Sequence, residues 1–187
     1  MEGIKRYDNF LTPEESNIIS CRVLFLEEDV KKMGPDIFDL TNSNSLSGRH
    51  WCFNFLNDKV IGPIMIPKLK KLFDRPFIVQ CWANTFRKGE GIGNHRHSEL
   101  PLDDFYAAGN IFLRGDPTIG TYYEGVKHVN KVGELSLLSG LIYHSVPPNP
   151  TDDIRVTMAI DVYIGSDEEM MNRLADEPNK NRFVYIK

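Results

Sequence analysis

The chain has 187 residues, 41% of them hydrophobic and 26% charged, with a net charge of −4 at pH 7. That length supports one globular domain with its own core, and the acidic balance argues against a dedicated nucleic-acid binder, which needs a basic face. No apolar run approaches the ~18 residues a membrane span requires, and the opening MEGIKRYDNF carries no apolar signal segment. Cys21, Cys52 and Cys81 are widely spaced, and no C-x-x-C pair exists. Free thiols in a reducing compartment are therefore expected, in a soluble cytoplasmic protein with no membrane or nucleic-acid partner.

In chain order, FLTPEESNIISCRVLFLEEDV opens with a helix start. Thr12 can cap, Pro13 sits in the first turn and Glu15 completes a capping box, so a helix running to about Lys32 is expected. MGPDIFDLTNSNSLSG reads as loop. VIGPIMIPKLKKLF reads as a second helix, interrupted early by Pro63 and Pro67. Its Lys68, Lys70 and Lys71 read as a solvated face.

From Pro76 the texture changes. FIVQCWANTF, YAAGNIFL, GTYYEG, GELSLLSG, LIYHSV and IRVTMAIDVYI are short segments rich in β-branched and aromatic residues, each bounded by turn formers. Such spacing predicts an all-β barrel or sandwich rather than βαβ units. GSDEEMMNRLADEPNK reads as a surface helix and RFVYI as an added edge strand. The expected architecture is mainly β, a barrel flanked by N-terminal helices. Its one domain, 1–187, divides into helical support (1–75), barrel core (76–165) and C-terminal extension (166–187).

The five histidines are His50, His95, His97, His128 and His144. On a strand, residues i and i+2 share a face, so His95 and His97 can bind one ion together. His144, in GLIYHSVPPN at a predicted strand end, is placed to add a third ligand. Glu99 offers a competing register, in which His97-Ser98-Glu99 supplies a histidine and a carboxylate. Two early ligands and a late histidine make a facial triad, which leaves octahedral positions open. His50, beside Arg49 in a loop, and His128, in an expected turn, read as surface or solvated histidines.

The segment from Trp82 to Asp161 resembles the catalytic core of the 2-oxoglutarate- and Fe(II)-dependent oxygenases, which fold as a double-stranded β-helix. WANTFRKGEGIGNHRH, AAGNIFLRG, GELSLLSGLIYHSVPPN and IRVTMAIDV carry the resemblance. YDNFLTPEESNII is similar to the N-terminal helix start of prolyl-hydroxylase-like members. The family pattern is a His-x-acid pair, a distal His, and a basic residue about one strand later that anchors the 5-carboxylate of 2-oxoglutarate. Here Arg155 follows His144 by eleven positions, and its planar fork suits a carboxylate. The layout WAN, NHRH, AAGNIFL is similar to a bacterial and phage branch with His-x-His, which favours His95 and His97 with His144; Glu99 stays the alternative to His95. The resemblance implies Fe(II), with 2-oxoglutarate and O₂ as co-substrates, and hydroxylation of a protein side chain or a small molecule.

Thr157 shares a face with Arg155 and can add a hydroxyl to the same carboxylate. Asn84 and Asn110, unusual in mid-strand, are further candidates to face the lumen and bind the co-substrate. One of Tyr122 and Tyr123 must point inward, and Trp82 reads as packing. Asp103, Asp104, Phe105 and Tyr106 fall where family members carry a lid. Two other readings compete: a cupin-like metal protein without 2-oxoglutarate, such as a thiol dioxygenase or isomerase, and a degenerate binding barrel.

Overall fold

The computed structural model describes residues 3–34, 46–98 and 105–187. Within them lie β1 (Ile4–Tyr7), α1 (Pro13–Met33), α2 (Ile61–Lys70), β2 (Phe77–Phe86), β3 (Ile92–His95), β4 (Phe105–Arg114) and β5 (Thr121–Tyr123). β6 (Val126–His128), β7 (Leu135–Leu138), β8 (His144–Val146), β9 (Arg155–Tyr163), α3 (Asp167–Asp176) and β10 (Val184–Ile186) follow. Six strands form one antiparallel sheet in the order β1-β7-β4-β9-β2-β10, and four form a second in the order β3-β8-β5-β6.

The large sheet separates core from lumen by strand period alone. On β9, Val156, Met158, Ile160 and Val162 join the main hydrophobic cluster with Ile19, Val23 and Val30 of α1 and Ile61, Met65 and Leu69 of α2. On β2, Phe77, Val79, Cys81 and Ala83 join the same cluster. The intervening residues, Gln80, Trp82, Asn84 and Phe86 on β2 and Thr157, Ala159 and Asp161 on β9, line an internal cavity instead. The β2–β9 ladder runs unbroken from Ile78↔Tyr163 to Phe86↔Arg155, which locks those inward side chains into register.

α1 forms as the capping signal predicts. The Glu15 amide donates to Thr12 Oγ1 at 3.1 Å and the Thr12 amide to Glu15 Oε2 at 2.8 Å, satisfying two otherwise orphaned N–H groups. α2 differs from expectation, since it runs through both prolines. Pro63 lies in the first turn, where its missing N–H has no intrahelical partner, and Pro67 forfeits one bond only. Burial of Ile61, Met65 and Leu69 holds the helix despite that loss, and Asp58 Oδ1 accepts from the Val60 and Ile61 amides at its start. Lys68 of the expected solvated face pairs with Glu15 at 3.0 Å, tying α2 to α1.

β1, β3 and β6 escape a sequence reading. They are three or four residues long, and Ile-Gly-Asn-His has no strand propensity of its own. β1 and β10 pair with β7 and β2, so residues before 76 and after 165 contribute to the large sheet. Among the described residues no helix is long and apolar enough to cross a membrane.

A buried ion cluster fastens α1 to the sheet. Glu27 accepts from Thr85 Oγ1 (2.9 Å) and from Arg87 Nη1 and Nη2 (2.8 and 2.9 Å), with Lys31 Nζ at 2.9 Å. Burial alone would raise its pKa, but hydrogen bonds from Arg87, Lys31 and Thr85 win and hold it at about 2, below the ordinary 4.5. A depressed carboxylate stabilises the fold above its unfolded pKa and loses that contribution as pH falls through the folded one. Glu27→Gln should therefore destabilise the protein by on the order of 2 kcal/mol at pH 7. In urea melts the penalty should shrink between pH 4.5 and pH 2, the window those two values set.

Candidate metal centre

Three histidines converge across the barrel. His95 ends β3 and His144 begins β8, and the antiparallel register places them directly opposite each other, with ring centroids 4.3 Å apart. His97 lies beyond β3. The amides of His97 and Ser98 both donate to Gly140 O at 2.9 Å, and this turn brings the ring to 5.6 Å from His95 and 5.0 Å from His144. The His-x-His pair thus does not share one strand, and His144 starts its strand rather than ending it. Convergence comes from cross-strand pairing and a loop turn, not from two-residue periodicity.

One nitrogen from each ring lies within 4.8 Å of the others. The second nitrogens are occupied: His95 Nδ1 sits 2.9 Å from Gly93 O, His144 Nδ1 3.1 Å from Ile142 O, and His97 Nδ1 2.6 Å from Asp161 Oδ1. Carbonyl and carboxylate partners require an Nδ1–H, so all three Nε2 lone pairs are free to face one ion. Burial, with His95 and His97 alongside, pushes the His144 pKa down to about 3. Burial also lowers that of His95. For His97, burial acts downward but the Asp161 carboxylate outweighs it and leaves the pKa raised. The His95–His97–His144 group can hold a metal ion. Glu99, with Asp103 and Asp104 of the expected lid, lies outside the described residues, as do the side chains of Phe105 and Tyr106.

The cavity of about 300 Å³ opens on these rings. Asn84, Asn110 and Thr157 line it. Thr157 Oγ1 accepts from Asn84 Nδ2 at 3.0 Å, and Asn84 Oδ1 accepts from Ser47 at 2.7 Å. Arg155 is fully buried behind this wall. Its Nη2 donates to Thr121 Oγ1 at 3.0 Å, while Nε and Nη1 have no hydrogen-bond partner among the described residues. Thr121, which does line the cavity, passes its own proton toward Asn130 Oδ1 at 3.0 Å. Burial pushes the Arg155 pKa down to about 10. Gly115, at φ +113°, packs so closely that a Cβ would lie 2.9 Å from Arg155 Cα.

Two histidines differ from expectation. His128 lies on β6, not in a turn, and pairs through Nε2 with buried Glu134. His50 lines the cavity with its ring 5.6 Å from Trp82, and burial lowers its pKa. Tyr123, not Tyr122, is the buried member of its pair. Trp82 packs as expected but also stacks on His97 at 5.6 Å and 28°. Sequence reasoning missed Asp161 and Thr121. Alternation from Arg155 through Thr157 would have found Asp161; Thr121 carried no signal, because its role depends on which strand faces Arg155.

No protein-family model matches the chain, and no curated protein matches it. Solved structures do. A Pseudomonas putida prolyl-4-hydroxylase aligns at TM-score 0.54 and 14% identity, covering 88% of this chain and 94% of that one. The viral collagen prolyl hydroxylase of Paramecium Bursaria Chlorella virus-1, solved with 2-oxoglutarate, aligns at 0.58 and 13%, covering 88% and 97%. HygX from Streptomyces hygroscopicus, solved with nickel and 2-oxoglutarate, aligns at 0.62 and 12%, covering 88% and 84%. The chain has the fold of the 2-oxoglutarate- and Fe(II)-dependent oxygenases, a double-stranded β-helix, as the resemblance implied.

The ring contacts make a direct prediction. Nitrogen-15 spectra of metal-free protein at pH 8 should show His95, His97 and His144 as Nδ1–H tautomers with bare Nε2. An Nε2–H signal from any of them would contradict this arrangement.

Proposed function

We propose that the protein is an Fe(II)- and 2-oxoglutarate-dependent dioxygenase that hydroxylates a protein side chain or a small molecule, working as one domain over 1–187. The observation that carries this reading is Arg155, a fully buried guanidinium whose Nε and Nη1 have no hydrogen-bond partner among the described residues, set in the same barrel as a three-histidine cluster. A buried cation without an anion costs several kcal/mol. Such a cost fits a pre-organised site for a carboxylate ligand. A three-histidine centre without a carboxylate co-substrate would leave Arg155 unexplained.

The chemistry of the donors suits the assignment. His95, His97 and His144 would hold Fe(II) facially, and neutral imidazoles leave the centre one charge more positive than two histidines and a carboxylate would. Nη1 of Arg155, or Nε from the other side of the guanidinium, would donate to the far carboxylate of 2-oxoglutarate, with Nη2 remaining on Thr121. Asn84, Asn110 and Thr157 offer hydrogen bonds along the wall, while Trp82, Phe86 and Leu138 limit water. Bound together, iron and co-substrate supply O₂-dependent oxidation coupled to decarboxylation of 2-oxoglutarate to succinate. Three free thiols fit a reducing, cytoplasmic setting.

Anaerobic protein loaded with Fe(II) should bind 2-oxoglutarate and release succinate slowly on admission of O₂; absence of binding would refute the reading. Arg155→Met should abolish that binding and leave metal affinity unchanged. Because it also removes an uncompensated buried charge, it should raise the melting temperature of ligand-free protein by a few degrees, from about 1 kcal/mol. For the ligand set, His95→Ala should lose the metal and Glu99→Ala should keep it. The opposite result would move the triad to His97, Glu99 and His144.

A further inference from the structure

We propose that Asp161 is the positioning residue of the metal centre: its carboxylate fixes the His97 ring and lends, through that ring, the negative charge an all-histidine set lacks. The inference rests on the metal reading above and extends it to a residue that touches no co-substrate.

The three rings are not held alike. His95 and His144 each direct Nδ1 to a carbonyl two residues back in their own chain, Gly93 O and Ile142 O. Those contacts follow from local strand geometry. His97 has left β3, and its Nδ1 turns instead to Asp161, 64 residues away, at 2.6 Å. Trp82 packs the face of the same ring at 5.6 Å and 28°. One contact sets the flip of the ring and the other its tilt, so Nε2 can point only toward His95 and His144.

Asp161 is itself well placed for that task. It lies on β9, which runs between β4 and β2 in the middle of the large sheet. Its register partners are Gln80 and Ala108, and it is 9% exposed. A carboxylate on a central, doubly paired strand has little freedom to drift. Its oxygen contacts the edge of the ring away from Nε2, and Asp161 does not belong to the ligand cluster. A carboxylate behind a ligating imidazole raises the basicity of the coordinating nitrogen, and losing such a partner typically weakens metal affinity about 10–100-fold.

The test compares Asp161→Ala and Asp161→Asn with the parent protein. Cobalt(II) affinity is measured by chelator competition, His97 ring nitrogens by nitrogen-15 NMR of metal-free protein, and folding by thermal melting. Asp161→Ala should weaken cobalt binding about 10–100-fold and leave His97 as a mixture of tautomers. Asp161→Asn keeps an acceptor oxygen but not the charge; it should retain the His97 Nδ1–H signal and show an intermediate loss. If Asp161→Ala does not fold, the near-isosteric Asn variant decides. Cobalt affinity within twofold of the parent, with an unchanged His97 tautomer, would overturn the proposal. So would loss of cobalt in Asp161→Ala but not in His97→Ala, since Asp161 would then be a ligand. A parent protein that binds no cobalt at all would instead count against the metal reading, while the tautomer measurement would still report on the Asp161–His97 contact.

Discussion

The structure depends on β9 being buried on both faces. All nine of its residues, Arg155 to Tyr163, are out of solvent, so its two-residue period has no solvated side on which to place polar groups. The even positions close the hydrophobic core under α1 and α2. The odd positions put an arginine, a threonine and an aspartate inside the barrel, where each needs a partner. Thr157 finds Asn84, Asp161 finds His97, and Arg155 finds Thr121 and the face of Phe112, with no carboxylate partner among the described residues. What looks like an unstable choice for a core strand is the inner wall of the barrel cavity.

The three-histidine cluster draws on a different kind of constraint. Its three rings come from the end of one short strand, the turn after it, and the start of another. β3 and β8 are too short to be stable apart from the barrel. They are held in place by the ladder between them and by Gly140, whose carbonyl takes two amides from the His97–Ser98 turn. Precision is thus borrowed from the large sheet: Asp161 on β9 and Trp82 on β2 reach across to the His97 ring in the turn after β3.

Much of this could be read from residues. The capping box at Thr12 and Glu15 is a local hydrogen-bond pattern and was fully legible. The long strands β2, β4 and β9 declared themselves through alternation and β-branched content, and Asn84 and Asn110 stood out as polar residues in mid-strand, but which way they face was set by the barrel. α2 was misread as interrupted because the penalty of Pro67 is local, whereas the burial of Ile61, Met65 and Leu69 that offsets it is not. His128 was misread for the same reason: Glu134, its buried partner, lies beyond the next turn, and nothing in VKHVNKVG announces the pairing.

By itself, the sequence determined which segments could be helix or strand, which strand faces are apolar, and which side chains are able to bind metal or carboxylate. Those properties follow from residue type and from periods of two and 3.6, which are local. Only the tertiary structure decided that His95 opposes His144, that His97 turns to Asp161 rather than to its own backbone, and that Thr121 rather than Thr157 holds Arg155. Each of those pairings joins positions far apart in the chain. They depend on ladder register and on which sheet faces which, quantities set by the packing of the whole barrel rather than by any one segment.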